Sequence, residues 1–543
     1  MNDSLYTPKS LWQDFDADLP LECVTTRQFE DSGAEVTEMY FSGRASEFGR
    51  PRIFGTLWRS RADSPEVIVV IGDRTGGISS GSYRPLFEHY NVFFFDYAGE
   101  TGETPKHTYY PNQLAYANAR VAGEDFNRAP VTARETPVYE WCAVCRYAVS
   151  MALALGFSRV GLLGTGEGGN LAIMTAAFDE RVSCVVSCFG GGWERYRANF
   201  KYGPNPEPPI SEEFSRYVAG CESENYAQNV TQPFLLLSTT NHKRYQMDRI
   251  NDTISRIGGA IFHFAPRLAS QFDSSFGNNV LLFFDEYLLG GEKRGAQVPQ
   301  MKAEVVGGKL RCRLLGSADA VASAKVYFSA NEVNPAIRDW REAEFVNGEC
   351  LPELFEGEDT LFLFPQVTYK NGYILSGKLT VLTELSGVSK TSFVPSQVLY
   401  TSAMGTDTFT TYSEHAGAVF EEENVTVKKG AFKIDGITDR YNRLATYKVN
   451  DARFRFDVDT INFDLCAKRA QTLHVAVYER FNTDGETRYV AEVKALGGDM
   501  WQPVTLSAKE FKSEKSALRS FGEVNLLVFA SEDEVLFNNI LWV

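Results

Sequence analysis

The amino-acid sequence predicts a mostly parallel α/β sheet with helices on both faces, followed by two all-β sandwiches. Three observations carry this. Short continuous apolar runs alternate with helical patterns up to residue 298, as buried parallel strands and their crossovers do. From residue 299 onward the helical patterns stop, and short alternating strands separated by turn residues take over. Aromatic residues are abundant, 39 Phe and 25 Tyr, which suits β-rich parts with large cores. The expected division is residues 1–298, 299–400 and 401–543, within the three or four domains of ~150 residues that the length allows.

Charge narrows the function classes. The net charge of −16 argues against nucleic acid, whose phosphates need a basic footprint, and against anionic membrane surfaces. No apolar run approaches the ~20 residues of a membrane span. The N-terminus has no basic stretch followed by an apolar core, so it predicts a cytoplasmic chain. Nine scattered cysteines predict reduced, mostly buried thiols. The pair in Trp141-Cys142-Ala143-Val144-Cys145 imitates a redox motif, but it lies inside a helical pattern, Val138–Leu155, and is read as buried packing. No zinc spacing, calcium loop or phosphate loop occurs, so no metal or cofactor is expected. Gly76-Gly77 and Gly190–Gly192 are read as loop glycines.

Taken in order, Glu35–Ser42 and Arg52–Arg59 alternate like a hairpin. Val67–Ile71 is a buried strand leading to Gly72-Asp73-Arg74, and Asn91–Asp96 is a second, ending at Tyr97-Ala98-Gly99. A long polar loop is expected over 100–136, then the helix Val138–Leu155. Further strands are Val182–Val186, Phe234–Leu237 and Ala260–Phe264; further helices are Met247–Ile257 and Asn279–Leu289. In the first sandwich Ala324–Ser329, Thr360–Phe364 and Tyr373–Leu382 read as strands, with a hairpin turn at Lys370-Asn371-Gly372. In the second, of jelly-roll type, Arg453–Val458, Leu473–Tyr478, Val524–Ala530 and the closing Val535–Val543 read as strands, with a turn at Asn482–Gly485.

The informative stretch is Val160–Ala177. A strand runs into Gly164-Thr165-Gly166-Glu167-Gly168-Gly169 and then a helix. This is the build of a nucleophile elbow, G-x-S-x-G, except that Gly166 stands at the serine. With Leu11–Asp16, Phe95–Gly99, Asp179–Val182, Ser187–Gly191, Ser238–Asn241 and Phe283–Gly291, it makes residues 1–298 resemble the α/β-hydrolases related to acetylxylan esterases and cephalosporin deacetylases. Val326–Ser329 with Arg338-Asp339-Trp340 resembles an immunoglobulin-like module. Trp501–Leu506 through Phe537–Ile540 is similar to galactose-binding-like carbohydrate modules.

The resemblance implies a Ser-Asp-His set, in which serine attacks, histidine takes its proton and the acid orients the histidine. All three places depart here: Gly166 for the nucleophile, His242 for the acid and Ser270 for the base. The expectation is therefore a hydrolase homologue without catalytic residues, a pseudoenzyme holding a ligand in a cleft formed from Gly166, Glu167, Gly168, Asp73, Tyr97, Trp193, His242 and Arg267. The helix opening at the elbow favours an anion or carbonyl oxygen. The expected partners are a carbohydrate or acylated small molecule, a protein, or a second copy. Two alternatives stand beside this: a carboxylic-ester hydrolase with a rearranged site, and a structural assembly protein. For the first, His242–Ser270 oriented by Asp248 or Asp273, or Cys188, would supply the chemistry; His263 is read as packed within a strand. Tyr441, Phe481 and Trp501 are the aromatics weighed as a sugar platform, with burial the commoner fate of a tryptophan.

Overall fold

A computed structural model describes residues 5–31, 33–61, 63–74, 83–101, 106–123, 126–292, 295, 297–316, 319–406, 409–412, 419–420 and 424–543. Gly76 and Gly77 lie outside them. The α/β part has strands β1 (Val24–Asp31), β2 (Ala34–Ser42), β3 (Arg52–Arg59), β4 (Glu66–Ile71), β5 (Asn91–Phe95), β6 (Arg159–Thr165), β7 (Val182–Cys188), β8 (Phe234–Thr239) and β9 (Ile261–Ala265). Its helices are α1 (Pro8–Trp12), α2 (Arg84–Phe87), α3 (Ala119–Ala122), α4 (Pro137–Ala154), α5 (Glu167–Ala177), α6 (Glu212–Cys221), α7 (Met247–Arg256) and α8 (Ser274–Tyr287).

The strands form one sheet in the order β1-β2-β3-β5-β4-β6-β7-β8-β9. Pairing is antiparallel from β1 to β5 and parallel from β5 to β9. This is the sheet of an α/β-hydrolase fold. β4 and β5 are wholly apolar toward their carboxyl ends and buried on both faces, as a sheet covered by helices on either side requires. The register Ile71↔Gly164 and Thr165↔Cys188 brings the ends of β4, β6 and β7 level, so the loops that follow them share one crest. Cys142 and Cys145 on α4 are buried in this core.

Two pairs of antiparallel sheets follow: three plus five strands over 300–382, and six plus five over 398–542. Each pair encloses its own apolar cluster, the first around Cys312, Val326 and Leu363, the second around Phe463, Val475 and Phe529. The helices and strands missed by patterning have identifiable causes. β1 is an edge strand exposed at almost every position, so it carries no alternation. The stretch expected to be a loop contains α3 and two 3-10 turns, Asn112–Ala117 and Ala133–Glu135, too short to show a period. Tyr373–Leu382 is two short strands, Ile374–Ser376 and Thr380–Leu382, rather than one. Arg453–Val458 is not a strand: Phe454, Phe456 and Val458 pack onto the second sandwich core from turn and coil, which imitates strand alternation. No helix among the described residues is long and apolar enough to cross a membrane.

Candidate functional site at the sheet crest

The elbow keeps its backbone. Gly166 caps α5 with φ 58° and ψ −124°, a conformation open mainly to glycine, and its N–H donates to the Cys188 carbonyl at 3.0 Å. Gly168 lets α5 press against the end of β4, because a Cβ there would strike the Ile71 and Gly72 carbonyl oxygens. What has changed is the occupant of the space above the bend. A Cβ on Gly166 would lie 2.5 Å from the Asp73 carboxyl carbon. The Asp73 Oδ1 accepts from the Glu167 N–H at 3.0 Å and from the Arg74 N–H at 2.8 Å. The residue following the nucleophile supplies one oxyanion donor in an elbow of this type. Here that donor is taken by a carboxylate of the chain itself.

Beside Asp73 lies a cavity of about 330 Å³, lined from the strand faces by Phe54, Trp58 and Phe94 and from the crest by Asp73, Asp96 and Tyr97. Asp96 is spent on structure: its carboxylate accepts from the N–H groups of Ala98, Gly99 and Thr108, and burial nonetheless lifts its pKa to about 6. Tyr97 is buried, its pKa raised well above normal, first by burial and then by the Asp73 and Glu167 charges. Glu167 is buried and accepts from the Asn170 side-chain amide at 3.1 Å.

The other expected cleft residues are elsewhere. His242 is buried; its Nδ1 accepts from the N–H groups of Arg244 and Tyr245, both at 3.1 Å, and its ring packs on Phe189 and Tyr245. Burial, then the Arg244 charge, lowers its pKa to about 3, so it is a neutral acceptor that shapes a turn. No hydrogen bond joins it to Ser270, which receives the Gln271 side-chain amide. Trp193 donates its indole N–H to Thr253 and stacks under Arg249 and Arg256 on α7. Arg267 donates through Nε to the Trp340 carbonyl at 2.8 Å and pairs with Glu342. Asp248 is held bidentately by Arg338, at 2.6 and 2.8 Å, with both side chains fully buried. The loops after β8 and β9 are thus the seat of the first sandwich. The Asn241 amide donates to the Ala336 and Arg338 carbonyls, and Phe264 in β9 exchanges hydrogen bonds with Gln366 and Ser376.

Two hydroxyls meet the His263 imidazole: Ser376 Oγ lies 3.5 Å from Nδ1, where the Gln366 amide also approaches at 3.4 Å, and Ser275 Oγ stands at Nε2. His263 Nε2 and Ser275 Oγ are 2.9 Å apart, and the Ser275 hydroxyl donates to the Asp273 carboxylate. A serine has one proton. With that proton on Asp273, the oxygen accepts from His263 Nε2–H, so the imidazole has no free lone pair facing the serine. Asp273 caps α8 and touches the serine, not the histidine, the reverse of a triad. His263 is buried and its pKa is lowered to about 4 by burial, against the pull of Asp273. Cys188 is buried at the end of β7, with its pKa raised by burial. Phe481 is buried against Ala336 and Ile337 between the sandwiches, while Trp501 packs on Gly430 and Gly436 and donates to the Ala431 carbonyl.

Sequence patterning left out Phe54, Trp58 and Glu38, which come to the cavity from β2 and β3. Alternation marks their strands, but not which end reaches the crest.

No family model and no curated protein matches the chain. Solved structures similar to it include acetyl xylan esterase 1 from Thermoanaerobacterium sp. JW/SL YS485, at 16% identity and TM-score 0.40 over 53% of this chain and 95% of that one. The acetyl xylan esterase from Paenibacillus sp. R4 has 15% identity and TM-score 0.39, over 52% and 92%. A cold-adapted esterase from an Arctic intertidal metagenomic library has 12% identity and TM-score 0.29, over 45% and 89%. The fold assignment stands on the chain's own strand order and elbow.

Proposed function

We propose that this chain is a hydrolase-fold protein that does not hydrolyse esters and instead binds a small molecule in the cavity beside its elbow. The observation that carries this is the Asp73 carboxylate, which stands where a nucleophile's side chain would and takes the Glu167 N–H. An acyl substrate needs both that space and that donor for its oxyanion. Support also comes from His242 and Asp248, which are committed to a turn and to Arg338. The expected result with p-nitrophenyl acetate is a rate equal to a heat-inactivated control, with no labelling by a fluorophosphonate. Turnover above that control would overturn the reading. A second reading, ester hydrolysis through a displaced serine, is favoured by the 2.9 Å contact of His263 with Ser275. If turnover occurs, its loss in Ser275→Ala would establish that route.

A further inference from the structure

The cavity beside the elbow has two polar groups to spare. Asp73 commits only Oδ1 to the backbone; its Oδ2 has no hydrogen bond among the described residues. Tyr97 is 2% exposed, and its hydroxyl has no hydrogen-bond partner among the described residues. A buried hydroxyl left without a partner is destabilising, and a ligand in the cavity that bonds to it would relieve that cost.

The charge of the walls selects among ligands. Among the described residues, four carboxylates line the cavity, Asp31, Glu38, Asp73 and Asp96, against two cations, Arg74 and Lys106. Both cations are engaged by the protein: Arg74 donates to the Gly123 carbonyl at 2.7 Å and lies over Phe126, and Lys106 pairs with Glu38. Aromatic rings make up much of the remaining wall, with Phe29, Phe54, Trp58 and Phe94, beside the smaller Val36 and Thr56. An elbow of the usual kind presents N–H donors to a developing anion; Asp73 reverses that sign, because a second anion brought here would meet the first.

We propose that the cavity binds an organic ammonium ion of small apolar body, with its N–H groups on Asp73 Oδ2 and the Tyr97 hydroxyl and its carbons against the Trp58 and Phe94 side of the wall. Carboxylate and rings together are the ordinary surroundings of a bound ammonium ion. This deepens the reading of the site as a binding cavity and rests on it.

The test compares three probes of one shape, cyclohexylammonium, cyclohexanol and cyclohexanecarboxylate, by calorimetry and thermal shift on the full chain at pH 7. The expected result is binding of the ammonium at least tenfold tighter than the alcohol, with none of the carboxylate. Asp73→Asn, which keeps the shape and removes the charge, weakens the ammonium at least tenfold. Tyr97→Phe weakens it severalfold without lowering the melting temperature, so the result does not depend on one variant's folding. Equal or tighter binding of the alcohol or carboxylate overturns the ligand class while leaving a binding cavity. Binding of none of the three overturns the ligand proposal. Hydrolysis of cyclohexyl acetate would instead overturn the non-hydrolytic reading on which it rests.

Discussion

Two halves of the same sheet crest have gone different ways. Over β4 and β5 the loops border a cavity, with an exposed Asp73 reaching across the elbow. Over β8–β9 the loops are buried under the first sandwich, with Asp248, Arg338 and Asn241 at zero exposure. In the parent architecture both halves must meet, because a nucleophile on one side needs a base and acid from the other. Here the second half serves as a joint between parts of the chain. On the non-hydrolytic reading proposed above, catalytic geometry gives way to occupation as well as to deletion: the Asp73 carboxylate fills the space at the bend, and His242 and Asp248 have other bonds to keep.

The largest effect that would sharpen this contrast is at the joint. Arg338→Ala leaves Asp248 buried and unpaired, and is expected to cost about 3–5 kcal/mol in chemical denaturation. Asp73→Ala, on the open half, is expected to cost about 1 kcal/mol, the net worth of ordinary hydrogen bonds. Equal costs would break the distinction between the halves.

Gly166→Ser comes next. The residue would hold a positive φ and press its Cβ into the Asp73 carboxyl group, so a loss of about 1–3 kcal/mol is expected, with no gain of p-nitrophenyl acetate hydrolysis. Adding Asp73→Gly relieves the contact and recovers part of the stability, still without hydrolysis, since His242 Nδ1 is held by two backbone N–H groups and His263 Nε2 by Ser275. Hydrolysis by either variant would mean that the two halves still communicate.

A further contrast is in pH. His242 and His263 stay neutral in the fold, with pKa values of about 3 and about 4, but take up a proton near 6.5 when the chain unfolds. Below 6.5 the unfolded state therefore binds more protons, and stability falls with pH until the folded values are passed. Asp96 and Asp439, raised to about 6 mainly by burial, act oppositely: their contribution is present at low pH and lost as pH rises through that value. The His242 share is isolated by His242→Asn, which retains an acceptor for the Arg244 and Tyr245 N–H groups. Its melting temperature should fall less than that of the parent between pH 7 and 4.5. An unchanged slope would place His242 in a solvated, titrating position and reopen the buried half.

Much of the α/β part was legible because its strands are buried on both faces: Val67–Ile71 read directly as a continuous apolar run, and Val182–Val186 as the strand that is β7. The edge strand β1 and the short turns before α4 were not, since exposure and brevity erase the period. At the site, Gly166 was legible because flanking glycines pin its place in the bend. His242, Trp193 and Arg267 were misplaced, as a loop at the end of a strand faces either a cleft or a neighbouring domain, and local sequence does not distinguish them.

The chain's own residues determine the alternation of strand and helix, the left-handed bend at Gly166 and the missing hydroxyl there, because these depend on neighbours within a few positions. Only the tertiary structure decides what fills the bend and what covers the crest. Asp73 and Gly166 follow different strands, β4 and β6, and Arg338 reaches Asp248 from another part of the chain. A carboxylate becomes a plug or a latch through the partner that packing brings to it, and that partner is distant in sequence.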